Sequence, residues 1–540
     1  MRLFTTIAGL RRYLERVRNT RTPTNEAIAP SRSKGVSSSP VSVGLVPTMG
    51  ALHEGHLSLI RRARQENDRV VVSIFVNPLQ FSPEEDLQRY PRMLEQDKQR
   101  CQDAGVDAIF APSAHELYGK THAPSDSSQT STTRIIPPPT MMQVLCGKTR
   151  TGHFEGVATV VIKLLNLVQP DRAYFGQKDA QQLAILKWVV ADLNLPVELV
   201  GCPIVRESGG LALSSRNQYL DPQQRTQAQA ISVSLKQAES LFQNGHIDRT
   251  SLVGVVKSDL ETVPHLRIEY VELVHPETMR PLEKIEDAGL LAIAAHIGNT
   301  RLIDNVVLRN RQAIIAIDGP AGAGKSTVAR QIAQQLSLLY LDTGAMYRAV
   351  TWKVMQADIA LDDEPAVAEL LSECNIELTE GAEVTSPCRV WVNGDEVSQA
   401  IRAADVTAHV STIAAQPSVR EALVQQQRCY GKKGGVVMDG RDIGTHVFPH
   451  AELKIFLTAS VQERARRRQQ DLKNQGQQHM NLEAIEQAIH ERDQKDSTRA
   501  IAPLRKADDA IEIHTDALTI EEVIAKIVTL YREVSVGSPH

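Results

Sequence analysis

Short apolar runs bounded by turn residues alternate along this chain with segments whose apolar positions recur every three or four residues. VGLVPT (43–48), RVVVSIFV (69–76), DAIFAP (107–112), VELVGCPIV (197–205), AIIAID (313–318), GGVVMD (434–439) and ELKIFLT (452–458) read as strands. GHLSLIRRARQEN (55–67) and DAQQLAILKWVVADL (179–193) read as helices, and the opening MRLFTTIAGLRRYLERVRN as a strand and helix rather than a targeting segment. This alternation predicts an α/β protein with parallel sheets covered by helices in both halves. Two stretches, 20–40 and 119–139, are rich in Ser, Thr and Pro and read as mobile insertions outside the core. A new strand starting near Ala313 puts a seam within LIDNVVLRNRQ (302–312), which divides the chain into 1–308 and 309–540.

Composition narrows the function. The 540 residues give a formal charge of −4, from 60 Lys+Arg against 64 Asp+Glu, with no long basic tract. Sequence-independent nucleic-acid binding is therefore not expected, and phosphate recognition should come from local pockets. No apolar run approaches the roughly 20 residues that cross a bilayer, so a soluble, cytoplasmic protein is expected. Cys101, Cys146, Cys202, Cys374, Cys388 and Cys429 form no C-x-x-C pair with metal-ligand spacing, which fits burial as small apolar residues in a reducing compartment.

The sharpest chemical signal is IIAIDGPAGAGKS (314–326), an apolar strand running into a glycine loop and then a helical pattern. Gly319, Gly324, Lys325 and Ser326 fill G-x-x-x-x-G-K-S, with Pro320, Ala321, Gly322 and Ala323 inside the loop and Thr327 after it. Such a loop lets backbone N–H groups converge on phosphates, while the lysine reaches the outer phosphates and the serine can ligand Mg²⁺.

The first half carries a different pattern. VPTMGALHEGHLSLI (46–60) ends a strand in a glycine turn and puts His53 and His56 at a helix start, where two imidazoles and unpaired amides would face one anion. A zinc site and plain helix capping are the competing readings. The zinc-protease pattern needs H-E-x-x-H, whereas Gly55 interrupts here and the spacing is three. Downstream, Ser214, Ser215 and Arg216 in GGLALSSRNQYL suit phosphate oxygens. Lys178 and Asp179 in YFGQKDAQQL supply a cation and a carboxylate that could orient Mg²⁺ or water. The three segments in one α/β unit point to an ATP site that transfers an adenylyl group.

In order, PTMGALHEGH, VSIFVNPLQF, GHFEGVATVV, FGQKDAQQL and CPIVRESGGLALSSRN make residues 1 to about 308 resemble pantothenate synthetase, that is, pantoate–β-alanine ligase. The resemblance implies a Rossmann-like nucleotidyltransferase-type domain with a small C-terminal α+β subdomain. It also implies that pantoate and ATP give pantoyl-adenylate and pyrophosphate, after which β-alanine displaces AMP. Carried over by position, Met49, Gly50, Ala51, Leu52, His53, Glu54, Gly55 and His56 would line ATP, with His56 as the acid-like group. Gly176, Gln177, Lys178, Asp179, Val205, Leu213, Ser214, Ser215 and Arg216 would complete that site, with Asp179 toward Mg²⁺, and Gln80 and Gln182 would hold pantoate or β-alanine. The insertions at 20–40 and 119–139 depart from the family's compact form.

A phosphate loop does not name its acceptor. Thr343 and Arg348 in LDTGAMYR, Arg441 and Asp442 in DGRDIGT, and Arg492, Asp496 and Arg499 in ERDQKDSTR bring arginines suited to a dianionic phosphate. With IRAADVTAHVSTIAAQPSVREALVQQQR between them, residues 309–540 resemble bacterial cytidylate kinase, a P-loop nucleoside monophosphate kinase. The resemblance implies γ-phosphate transfer from ATP to CMP or dCMP. Thr343, Arg348, Arg441, Arg492, Asp496 and Arg499 would then hold phosphate and sugar, and Ser411, Arg420 and Asp442 would read cytosine. SVQERARRRQQDLK (460–473) matches the lid, where Arg464, Arg467 or Arg468 would neutralise the transferring phosphoryl group, an exposed charged helix being the competing reading, and ATP would bring Mg²⁺ to both sites. Family similarity further implies a homodimer through the first half. Two rivals stand beside this reading: one live enzyme fused to an inactive nucleotide sensor, and an RNA-binding protein of synthetase type, which the missing basic face opposes.

Overall fold

The computed structural model describes residues 1–19, 41–81, 87, 90–119, 132–379, 388–474, 481–499 and 502–535, so the stretch expected to be mobile at 20–40, and most of that at 119–139, lie outside the described residues. The chain forms two compact units, Met1–Asn310 and Arg311–His540.

In the first unit, β1 (Arg2–Phe4), β2 (Val43–Thr48), β3 (Arg69–Ile74), β4 (Ala108–Phe110), β5 (Arg172–Gly176) and β6 (Glu198–Cys202) form one sheet. Its order is β1-β4-β3-β2-β5-β6, and every pairing is parallel. Helices cover both faces, so successive residues Val70, Val71 and Val72 are all fully buried; this is why these strands read as unbroken apolar runs rather than alternating ones. Strand order reverses between β2 and β5, and in such sheets the crevice beyond the carboxyl ends of the flanking strands receives ligands. The ends of β2 and β5 carry Met49–His56 and Gly176–Asp179. The helix His153–Val168 is buried on nearly all sides. Its Gly156 lies against the turn Pro78–Gln80, where an added Cβ would fall 2.3 Å from the Leu79 carbonyl oxygen.

β7 (Leu266–Val274), β8 (Ala288–Ile297) and β9 (Thr300–Arg309) then make an antiparallel meander. It packs on the helices Pro222–Gln243 and Arg249–Glu261 through a core of its own that includes Ile231, Leu235, Leu252, Val256 and Ile293.

In the second unit, β10 (Ile315–Asp318), β11 (Leu339–Asp342), β15 (Val436–Gly440), β16 (Leu453–Thr458) and β17 (Ile511–His514) form a parallel sheet in the order β11-β15-β10-β16-β17. Between them in sequence, β12 (Ile376–Thr379), β13 (Arg389–Val392) and β14 (Asp395–Glu396) make a separate antiparallel sheet. The central β10 is buried throughout and feeds the glycine loop and the helix Lys325–Leu336. The helices Val461–Asn474 and Leu482–Thr498 pack together over Ala465, Leu472 and Ile485. Among the described residues, no helix is long and apolar enough to cross a membrane.

Candidate active sites

The turn after β2 is built from its own polar groups. Gly50 and Ala51 both have positive φ, at 85° and 49°. The amides of Ala51 and Leu52 donate to the buried Asp97 carboxylate at 2.9 and 2.8 Å. At the start of the helix Glu54–Glu66, the Gly55 amide donates to His53 Nδ1 at 3.2 Å and the His53 amide to His56 Nδ1 at 3.3 Å. These amides are therefore committed inside the protein, which corrects the expectation that an unpaired helix N-terminus faces the anion. The accepting Nδ1 atoms place the remaining proton of each neutral ring on Nε2. Burial, with Lys178 next in effect, lowers the His53 pKa to about 4. Burial, with His53 next, lowers that of His56 to about 3. Both rings are thus neutral Nε2–H donors, their centroids 4.1 Å apart. Glu54 turns outward instead and pairs with Arg61 at 3.0 Å.

The later segments converge on this turn. A Cβ on Gly55 would stand 3.7 Å from that of Leu213, whose own amide donates to the Val205 carbonyl at 2.9 Å. Ser214 caps the short turn Ser215–Tyr219, and the Ser215 hydroxyl hydrogen-bonds the Tyr90 oxygen. Lys178 lies 3.7 Å from the exposed carboxylate of Asp179, while Asn305 donates at 3.0 Å to the carbonyls of Gln177 and Lys178. A cleft open to solvent is lined by Lys178, Gln182, Arg216, Arg150, Arg301 and Asn305. Burial, followed by repulsion from Arg150, lowers the Arg216 pKa, so this cleft is poised for an anion. Gln80 is buried and donates to Met49 Sδ at 2.8 Å; its carbonyl meets Nδ1 of His153, another residue of the cleft, at 2.8 Å.

In the second unit, Gly319 has φ 147°, and a Cβ there would fall 1.9 Å from the Leu457 carbonyl oxygen, so only glycine fits. Lys325 is buried within the loop and donates to the Pro320 carbonyl at 2.7 Å. Burial, then Arg441, lowers its pKa. Ser326 donates to Asp439 at 2.7 Å, and Tyr340 donates to the other oxygen of Asp439 at 2.9 Å. Thr343 donates to the Asp439 carbonyl at 2.7 Å.

Around the next turn, Asp442 receives Arg420 and, at 3.2 Å, Arg499. Arg441 donates to Asp496 at 2.8 Å, and Arg348 to Asp342 at 3.1 Å. Arg492 joins the group: after desolvation, the charges of Arg441, Arg348 and Arg468 lower its pKa. Arg420 also donates at 3.3 Å to the carbonyl of Ala414, just past the helix Ala404–Ile413 that carries Ser411. The Nε atoms of Arg348 and Arg420 are buried without a hydrogen-bond partner.

The model of the pantoate–β-alanine ligase family matches residues 15–307, and that of the cytidylate kinase family matches residues 315–533. The bifunctional pantoate ligase/cytidylate kinase of Trichormus variabilis is 59% identical over 536 residues, covering 99% of both chains. The chain belongs to this bifunctional family. The Nostoc sp. relative of the same description matches equally well, at 59% over 99% of both chains, and that of Trichodesmium erythraeum at 54% over 99% of this chain and 98% of its own. The pantothenate synthetase structure from Thermus thermophilus is 42% identical and covers 57% of this chain and 99% of its own; its TM-score of 0.49 adds nothing to the assignment.

A pantoate ligase and a cytidylate kinase therefore share one polypeptide. In the ligase unit the structure gathers His53, His56, Lys178, Ser215 and Arg216 at one sheet end. In the kinase unit it gathers Lys325, Arg348, Arg441, Arg492 and Arg499 around Asp439, Asp442 and Asp496. Arg464 departs from the lid expectation: it is buried, donating to the Ala321 carbonyl at 3.1 Å and to Asp493 at 2.6 Å, which ties the lid helix to the phosphate loop. Arg467 is held by Glu463 and Thr515. Arg468 is the lid arginine near Arg492. Sequence reasoning missed Asp97, Tyr90 and Tyr340, because a lone acid or tyrosine between polar neighbours has no signature in one sequence. Among the described residues, no cluster of three or more His, Cys, Asp or Glu could hold a metal, so the zinc alternative gains no support.

Proposed function

We propose that the ligase unit joins the pantoate carboxylate to the α-phosphorus of ATP, expelling pyrophosphate, and that the β-alanine amine then attacks the acyl carbon of the mixed anhydride, expelling AMP. The observation that carries this reading is the pair of neutral Nε2–H donors on His53 and His56 beside Lys178. Donors fixed before substrate arrives stabilise charge that grows on the phosphate without reorganising. His56 then acts as a hydrogen-bond donor and not as a cationic acid. Lys178 and Arg216 neutralise the departing pyrophosphate, the Ser214 and Ser215 hydroxyls hydrogen-bond it, and the amides of Gln80 and Gln182 orient pantoate and β-alanine. Met49, Gly50, Ala51, Leu52, Gly55, Gly176, Gln177, Val205 and Leu213 shape the wall of the nucleotide pocket. The test is isotope exchange of pyrophosphate into ATP in the presence of pantoate alone: exchange without β-alanine supports the adenylate, and exchange that requires β-alanine refutes it.

In the kinase unit, Lys325 and the glycine loop hold the ATP phosphates while the CMP or dCMP phosphate oxygen attacks the γ-phosphorus. Arg348, Arg441, Arg492 and Arg499 neutralise the acceptor phosphate beside the Thr343 hydroxyl, with Asp496 orienting Arg441. Ser411, Arg420 and Asp442 read the base. A buried arginine and carboxylate match the ring acceptors and exocyclic amine of cytosine, where a good bidentate contact discriminates by about 1–3 kcal/mol. The Ser326 hydroxyl beside the Asp439 carboxylate is a pair of hard oxygen donors that fits Mg²⁺, and the exposed Asp179 carboxylate is its counterpart in the ligase. Bound there with ATP, Mg²⁺ would offset phosphate charge. Dimerisation through the ligase unit and a cytoplasmic location belong to the same reading, and sedimentation of the full chain tests the former.

A further inference from the structure

Asp318 closes β10 and immediately precedes Gly319; its charge acts on Lys325 of the phosphate loop, yet its hydrogen bonds reach a different segment. It is buried, and its two oxygens receive the amides of Ile443 at 2.8 Å and Gly444 at 2.7 Å. Those amides belong to the turn after β15, the turn that presents Arg441 and Asp442. Asp442 in turn holds Arg420 and Arg499, and Arg441 holds Asp496. The next glycine contact is equally tight: a Cβ on Gly444 would lie 3.3 Å from Asp318 Oδ2 and 3.2 Å from Lys454 Cδ. One carboxylate thus fastens the acceptor-reading turn to the strand that delivers ATP, and it does so through both of its oxygens.

We propose that Asp318 is a positioning residue for the nucleoside monophosphate, fixing the Arg441–Asp442 turn so that phosphate and base are read in one geometry. The inference rests on the assignment of Arg441, Asp442, Arg420 and Arg499 to the CMP site. An asparagine at 318 keeps one acceptor but turns an NH₂ group toward the second amide, which replaces a hydrogen bond with a donor–donor contact. The turn would then lose its register, while the glycine loop keeps the contacts that Lys325 and Arg464 make to its Pro320 and Ala321 carbonyls.

The experiment measures KM for CMP and for ATP, and kcat, on full-length Asp318→Asn and Asp442→Asn, with pantothenate formation by the same molecules as an internal measure of protein amount and urea unfolding of the kinase unit as the measure of its folding. The expected result for Asp318→Asn is a KM for CMP raised about tenfold, with KM for ATP within about twofold of wild type and ligase activity unchanged. An unchanged KM for CMP in Asp318→Asn beside a raised one in Asp442→Asn overturns the proposal and leaves the site assignment standing. An unchanged KM for CMP in Asp442→Asn overturns the assignment itself. Should Asp318→Asn destroy kinase activity outright, Gly444→Ala crowds the same joint from the opposite side: a raised KM for CMP alone supports the proposal, and KM values for CMP and ATP that rise together show a general lesion and overturn it.

Discussion

In the ligase unit each histidine ring accepts a backbone amide through Nδ1, the proposed mechanism uses Nε2–H, and substitution can separate the two. Nδ1 of His56 accepts the His53 amide at 3.3 Å and so caps the helix, while Nε2–H points away from that contact. Counted along the side chain from Cβ, the amide of asparagine reaches the Nδ1 position and that of glutamine the Nε2 position. His56→Asn therefore keeps the cap and removes the outward donor, whereas His56→Gln keeps the donor and removes the cap. Losing a preorganised donor to a developing oxyanion costs about 100-fold to 1,000-fold in kcat, or ~2.7–4 kcal/mol. Losing the N3 arm of a capping box, with the His53 N-cap left in place, costs up to about 1 kcal/mol of stability. The expected result is an asparagine variant of near-native stability with pantoate-dependent AMP release slowed at least about 100-fold, and a glutamine variant that melts earlier but turns over faster than the asparagine one. CMP phosphorylation by the same preparations reports intact protein. An asparagine variant with native turnover, or a glutamine variant slower than the asparagine one, refutes the assignment of Nε2–H as the working donor.

Asp97→Asn removes one of the two carboxylate–amide bonds that hold Ala51 and Leu52, which should cost about 2 kcal/mol of ligase-unit stability by urea unfolding and slow AMP release, with kinase rates unchanged. Because His53 and His56 stay neutral in the fold down to about pH 4 and 3, the unfolded chain, with ordinary histidines near 6.5, takes up protons first as pH falls. Stability of the ligase unit should therefore decline from about pH 6.5 toward pH 4, and the His53→Asn/His56→Asn double variant should show a shallower slope in urea midpoints over pH 7.5 to about 5; an identical slope argues against buried neutral rings. Lys325→Ala should lower CMP phosphorylation by at least about 100-fold and leave pantothenate formation intact, measured as ADP and AMP release on one sample.

Much of this architecture is legible in the chain. VGLVPT is β2 to the residue, and ELKIFLT and AIIAID overshoot β16 and β10 by one and two residues, because strands buried on both faces leave unbroken apolar runs. The glycine loop is legible because a close backbone contact, such as Gly319 against Leu457, admits no side chain. What escapes is whatever depends on partners far apart in sequence. Asp97 lies in LEQDKQR, which reads as a solvated helix face, and only packing buries it under the β2 turn. Asp318 sits in an obvious motif, yet its partners are 125 and 126 residues away. The committed amides at the His53–His56 turn escape for the same reason: a helix start is visible in sequence, but what caps it is a matter of geometry.

The central claim is that one chain holds two ATP sites, one cleaving at the α-phosphorus and the other at the γ. ATP labelled on its γ-phosphate tests it directly in the intact protein. With pantoate and β-alanine the label should appear in pyrophosphate, and with CMP in CDP; His56→Asn should suppress only the first product and Lys325→Ala only the second. Label appearing in one product alone from the wild-type chain, or either substitution silencing both, would contradict it.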